Sequence, residues 1–261
     1  MTKLVCVHSY RGGTGKSNIV ANLAVLLAQR GRRVGIIDTD IRSPGIHALF
    51  GLERAEIHAS LNDYLWGKCL IEQAALDVTP SVASPGPGGA VFLVPCSMRA
   101  GEIARILKEG YAVERLNDGM QILSEALDLD ILLIDTHPGV NEETLLSIAI
   151  SDSVLFVLRP DHQDYQGTAV TLELAHRLEV SQLLLVVNKV LETTDQDGLA
   201  EKIVTAFQTP VAAVLPLTED LVRLGSGGVL ASLRPEADYV RRLHAVVGLI
   251  DDDAARPNSV A

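Results

Sequence analysis

Residues 9–17 read Ser-Tyr-Arg-Gly-Gly-Thr-Gly-Lys-Ser, between the apolar run Leu4-Val5-Cys6-Val7 and the helical pattern Asn18-Ile19-Val20-Ala21-Asn22-Leu23. A glycine-rich turn joining a strand to a helix N-terminus makes a cradle of backbone N–H groups. The helix dipole adds partial positive charge at the same spot, so such a loop takes phosphate oxygens. Lys16 is placed to reach the β- and γ-phosphates of a nucleotide, and the Ser17 hydroxyl to ligate Mg²⁺. An ordinary surface turn does not require strand, loop, Lys-Ser pair and helix in this order.

The rest of the chain repeats that rhythm. Strands are expected at Lys3–His8, Val34–Asp38, Val91–Pro95, Ile131–Asp135, Val154–Leu158, Leu183–Asn188 and Val211–Leu215. Helices are expected at Lys16–Arg30, Arg99–Lys108, Val113–Leu127, Glu142–Ile150, Gln166–Leu178, Asp197–Phe207 and Glu236–Ile250. Near-continuous apolar strands alternating with helices predict a single α/β domain over residues 1–250. Its doubly wound, mostly parallel sheet has about seven or eight strands with helices on both faces. Ligands of such sheets bind at the carboxyl ends of the strands. Two segments break the pattern: the Pro/Gly/Ser loop Thr79–Ala90, expected to be mobile, and the acidic and polar tail 251–261, expected to be disordered.

Composition sets limits. With 48% hydrophobic and 21% charged residues over 261 positions, the chain can bury one substantial core. No run reaches the roughly 18 apolar residues of a spanning helix, and the N-terminus enters a strand directly, so a cytoplasmic protein is expected. Cys6, Cys69 and Cys96 form no C-x-x-C pair, which argues against a structural metal or a disulfide framework. A formal charge of −11 disfavours unassisted binding to bulk DNA or anionic lipid.

Three further strand ends carry chemistry. Ile36-Ile37-Asp38-Thr39-Asp40 places two carboxylates at i and i+2, one suited to Mg²⁺ or its waters and one to orienting an attacking water. Ile131-Leu132-Leu133-Ile134-Asp135-Thr136 is a hydrophobic strand ending in Asp, the Walker B arrangement in which the carboxylate holds the Mg²⁺ hydration shell. His137-Pro138-Gly139 follows, where a γ-phosphate-sensing switch would lie. Val187-Asn188-Lys189-Val190-Leu191 offers the Asn188 amide to a purine edge. A guanine-reading N-K-x-D would need Asp at 191, so Leu191 favours adenine. Pro216, in the turn after the next strand, is a candidate second wall for the base.

The first loop departs from G-x-x-x-x-G-K-[ST], because its first glycines are Gly12 and Gly13. Its spacing resembles the deviant Walker A loop K-G-G-x-G-K-[ST], with Arg11 in place of the leading lysine. Together with Asp38–Asp40, Asp135 and Asn188, this loop makes the chain similar to the ParA/MinD family of P-loop ATPases, from Lys3 to about Ile250. The resemblance implies an ATPase using ATP and Mg²⁺, with slow, partner-stimulated hydrolysis and a homodimer that sandwiches ATP. It implies that Gly12, Gly13, Thr14, Gly15, Lys16, Ser17 and Asn18 bind the nucleotide, with Asn188 and Pro216 at the base. It further implies Ser17, Asp38 and Asp135 near the metal, Lys16 and Asp40 in hydrolysis, and Arg11 reaching across the dimer.

Rival readings differ in their requirements. Iron–sulfur relatives need paired cysteines at a dimer interface. Membrane-cycling relatives end in a basic amphipathic helix, whereas Tyr239–Ile250 is followed by three aspartates, so a membrane partner is not expected. Arg223, Arg234, Arg241 and Arg242 are the candidate DNA patch, and DNA binding is not the favoured reading. An ATP-dependent ligase or synthetase, and a nucleotide-locked scaffold without hydrolysis, stay open. The cargo is not legible.

Overall fold

The computed structural model describes residues 1–254. In chain order it runs β1 (Lys3–His8), α1 (Lys16–Gln29), β2 (Arg33–Asp38), α2 (Ile46–Leu49), α3 (Leu61–Leu65), α4 (Ile71–Ala74), β3 (Leu76–Asp77) and β4 (Ala90–Val94). It continues α5 (Ala100–Glu109), α6 (Val113–Ala126), β5 (Ile131–Asp135), α7 (Glu142–Ala149), β6 (Ser153–Leu158), α8 (His162–Arg177) and β7 (Gln182–Val190). The last elements are α9 (Gln196–Phe207), β8 (Val211–Pro216), α10 (Glu219–Leu224), α11 (Leu230–Leu233) and α12 (Asp238–Ala254).

The eight strands form one sheet in the order β3-β4-β2-β5-β1-β6-β7-β8, and only β3 runs antiparallel to its neighbour. Strands β5 and β6 are fully buried, as are β1 apart from Leu4 and β2 apart from Arg33, as layers of helix on both faces require. Helix α1 has eleven of its fourteen residues buried, so it is apolar nearly all round and lies between the sheet and α12. Its one interior amide, Asn22, is satisfied by the carbonyl of Asn18 and the N–H of Ala231, both at 2.7 Å. On the opposite face, α6 packs with α3 and α4, and α7, α8 and α9 cover the other half.

Helix α12 lays Tyr239, Val240, Leu243, Val246, Val247 and Ile250 into the core beside α1, which consumes the apolar face that a membrane helix would have needed. Among the described residues no helix is long and apolar enough to cross a membrane.

Three expectations need correcting. The helix does not stop at Ile250: it continues to Ala254, and Asp251 pairs with Arg32 at 2.6 Å and Arg30 at 3.3 Å. The remainder of the expected tail lies outside the described residues. The Thr79–Ala90 loop is docked, with the Gly86 amide donating to the Ala28 carbonyl at 3.0 Å. Helix α8 begins four residues before the expected Gln166, because Asp161 caps it by accepting from the Gln163 and Asp164 amides.

Candidate functional site

Strand β1 is flanked by β5 on one side and β6 on the other, so the chain leaves it at the point where the sheet's winding reverses. The loop that leaves this point reaches α1 through two left-handed glycines, Gly13 (φ 77°) and Gly15 (φ 93°). No N–H of Gly12, Gly13, Thr14 or Gly15 makes a hydrogen bond among the described residues, and α1 has no side-chain N-cap. Four free amides beside the uncapped start of a helix are suited to an anion.

Lys16 opens the helix, and its Nζ lies 3.1 Å from Asp135 Oδ1. The two side chains are 7% and 1% exposed, so this is a buried pair. Burial alone would lower the Lys16 pKa, but Asp135, with Asp40 and Asp38 behind it, more than offsets that and the net shift is upward. Asp38 is the register partner of Asp135 across β2 and β5, which places two carboxyls at adjacent strand ends. Burial first, and then Asp135, pushes the Asp38 carboxyl well above the usual carboxylate range. Its Oδ1 accepts from the Asp40 amide at 3.0 Å, while Oδ2 is buried without a partner.

Asp40 is held from two directions. Its Oδ1 accepts from the Ser43 amide at 3.2 Å and faces His137 Nδ1 at 2.7 Å. The His137 loop is in turn tied to the phosphate loop, since the Gly139 amide donates to the Ser9 carbonyl at 3.1 Å. His137 therefore does lie at the site, in contact with the second carboxylate motif.

The residues fit a nucleotide with Mg²⁺. Four unpaired amides, the unpartnered Thr14 hydroxyl and Lys16 answer phosphate oxygens. Mg²⁺ needs only one or two carboxylates beside a hydroxyl, phosphate and water, which matches Ser17 on the first turn of α1 with Asp38 and Asp135. Among the described residues no group of three or more His, Cys, Asp or Glu could hold a metal by itself.

The other expected site residues have the following surroundings. Arg11 turns to the start of α8, with Nη1 3.7 Å from both Asp161 and Asp164. Asn18 offers its carbonyl to Asn22. Asn188 does not present a free amide: its Nδ2 donates to the Thr14 carbonyl at 2.7 Å, and its Oδ1 accepts from the Lys189 amide at 2.9 Å. A purine edge would have to displace the first of these bonds. Pro216 and Thr218 line a cavity of about 420 Å³ with Glu192 and Gln196, where a base wall was expected. Sequence reasoning missed Lys189, whose Nζ donates to the Gly13 carbonyl at 2.8 Å. The only hint was its place beside Asn188.

The cysteines do not gather. Cys6 and Cys96 are buried, and burial raises both thiols well above their usual range. The four candidate DNA-binding arginines are paired with acids: Arg223 with Glu219, Arg234 with Asp220, and Arg241 and Arg242 with Asp238.

Comparison with known proteins fits this geometry. The family described as ParA, NUBPL iron-transfer P-loop NTPase, matches residues 1–71, which hold both the glycine loop and the Asp38–Asp40 pair. By this match, its relatives and its fold, the chain is similar to P-loop NTPases of the ParA/MinD kind. It is 29% identical over 216 residues to an uncharacterised ATP-binding protein of Methanocaldococcus jannaschii, covering 83% of this chain and 75% of that one. It is 25% identical over 214 residues to a flagellum site-determining protein of Helicobacter pylori, covering 82% and 67%. Its fold matches the septum site-determining protein MinD of Pyrococcus horikoshii, solved with Mg-ADP, at a TM-score of 0.81 and 20% identity over 98% of both chains. As in the arrangement those likenesses lead one to expect, Lys16 of the phosphate loop meets Asp135, and Asp38 is in register beside it.

Proposed function

We propose that this protein is an ATP-driven molecular switch that forms an ATP-sandwich homodimer, hydrolyses ATP slowly and positions or regulates a protein partner that stimulates hydrolysis. The observation that carries the reading is the buried Lys16–Asp135 pair, with Asp38 in register beside it, facing the unpaired amides of the glycine loop. Relatives named for septum and flagellum placement support a positioning role. The buried thiols and the absence of a C-x-x-C pair weigh against cluster transfer, despite the iron-transfer wording of the matched family.

On this reading the loop amides and Lys16 bind phosphate oxygens, and Lys16 leaves Asp135 to do so. Ser17, Asp38 and Asp135 would hold Mg²⁺, which when bound supplies charge neutralisation on those oxygens. Asp40, fixed by Ser43 and His137, orients the attacking water. Arg11 leaves Asp161 and Asp164 and reaches the phosphates bound by the partner protomer, where a planar guanidinium can spread charge. Catalysis is then positioning and electrostatic stabilisation.

Light scattering with ATP, ADP or no nucleotide tests this on wild type and Lys16→Ala. The expected result is a doubled mass with ATP alone, lost in Lys16→Ala. A mass indifferent to nucleotide would sink the switch. Arg11→Ala should bind ATP normally and lose turnover; unchanged turnover would remove Arg11 from the mechanism.

A further inference from the structure

The end of β7 breaks the rule of its own strand. Successive side chains of an extended segment point to opposite faces. Asn188 and Lys189 are consecutive, yet both reach the glycine loop and hold adjacent carbonyls there. Asn188 Nδ2 donates to Thr14 O and Lys189 Nζ donates to Gly13 O. The cause is local: Lys189 is in the left-handed region at φ 61°, and the β7–β8 pairing shifts register between Val187 and Val190. That conformation disfavours any residue with a Cβ, so a lysine there is an outlier that the surroundings must impose.

The geometry of the peptide unit says what the two bonds achieve. A planar trans peptide points its carbonyl and the following N–H in opposite directions. Holding Gly13 O toward Lys189 aims the Thr14 N–H away from β7, and holding Thr14 O toward Asn188 aims the Gly15 N–H the same way. Both amides are among the four with no partner.

We propose that Lys189 is a positioning residue of the phosphate loop: with Asn188 it turns two consecutive carbonyls outward and so pre-sets the Thr14 and Gly15 amides for phosphate oxygens. The proposal rests on the nucleotide reading given above. Lys189 acts through the backbone of residues 13–15 and makes no phosphate contact of its own.

Calorimetric titration with Mg-ATP and Mg-ADP, with thermal melts of the nucleotide-free protein, tests this on wild type, Lys189→Gly and Lys189→Arg. Glycine accepts φ 61° without strain, so Lys189→Gly should keep or raise the nucleotide-free Tm. It should nevertheless weaken ATP and ADP by the same factor, about five- to tenfold, the size of one ordinary hydrogen bond lost from an exposed side chain. Lys189→Arg retains a donor and should stay within roughly twofold of wild type. Unchanged affinity in Lys189→Gly overturns the proposal, as does a lowered Tm, which would make Lys189 a prop of the fold. A loss for ATP several times that for ADP overturns it in favour of direct phosphate contact. No binding by wild type overturns the nucleotide reading itself, and this role with it.

Discussion

His137 Nδ1 lies 2.7 Å from Asp40 Oδ1, a contact that ties the loop after β5 to the loop after β2. The His137 carbonyl accepts from Thr144 Oγ1 at 3.4 Å, so the histidine's own backbone is anchored to α7. Removing the ring leaves the Asp40 carboxylate held by Ser43 alone. His137→Ala should lower ATP turnover about tenfold with ATP affinity unchanged, the pattern of a lost orienting contact. His137→Asn, whose amide can replace the Nδ1 donor, should recover most of it. Steady-state kinetics read both; equal kcat in wild type and His137→Ala would dismiss the contact as incidental.

His8 predicts an acid-side loss of stability. Thr136 Oγ1 donates its single proton to the Val7 carbonyl at 3.0 Å, so His8 Nδ1, 2.9 Å away, must be the donor to Thr136. Its Nε2 is then a buried acceptor without a partner. Burial, followed by the charge of Lys16, lowers the His8 pKa from 6.5 to about 3. The unfolded ring binds a proton that the folded ring refuses between these values. Stability is therefore full above pH 6.5 and falls as pH drops toward 3. At pH 5 the loss from this group is about 2 kcal/mol. His8→Asn keeps a donor at the Nδ1 position and does not titrate, so its denaturant midpoint should decline less steeply. Parallel declines would show that His8 is not the group responsible.

Gly167 of α8 faces the Tyr10 ring so closely that a Cβ would fall inside it. A helical Gly→Ala change ordinarily gains about 1 kcal/mol. Here the displaced tyrosine should cancel that gain, at a cost of about 1–3 kcal/mol. Because Tyr10 lies within the phosphate loop, Gly167→Ala should also weaken nucleotide binding. Truncating Tyr10 to alanine in the same background should restore the stability gain in thermal melts. Simple stabilisation by Gly167→Ala alone would contradict the packing.

Non-specific duplex DNA should not retain the protein, with or without ATP. Each of the four C-terminal arginines faces a carboxylate, leaving little net positive charge to release counterions. Gel-shift assays at low and moderate salt would expose the opposite outcome as an ATP-dependent shift that fades with salt.

The parallel strands were legible because their runs are apolar and rich in branched residues, with β1, β2 and β5 closed by His or Asp; β1 and β5 fall on the expected residues. The phosphate loop and both acidic strand ends were legible for the same reason, since their chemistry is local in sequence. Residues 46–74 were not. Helices α2, α3 and α4 have four or five residues each, too few for helical periodicity, and exist because they close the sheet's flank. Even there, Ser60 and Asp63 spell a capping box that marks the start of α3. β3 is a two-residue pairing created by β4, with no pattern of its own. Asn188 was legible as a strand-end residue, but its shared hold with Lys189 on the phosphate loop was not, because strand alternation forbids the shared face that the left-handed turn creates.

The docked Pro/Gly stretch has a practical corollary. Its composition marks residues 79–90 as the obvious place to splice in a fluorescent protein or an affinity tag. Yet Gly86 and Gly89 lie against the last turn of α1, where any side chain would overlap the backbone of residues 28–31. An insert there would push on the far end of the rod whose first residue is Lys16, about 20 Å away at 1.5 Å per residue. A reporter placed for convenience would thus perturb the very chemistry it was meant to watch.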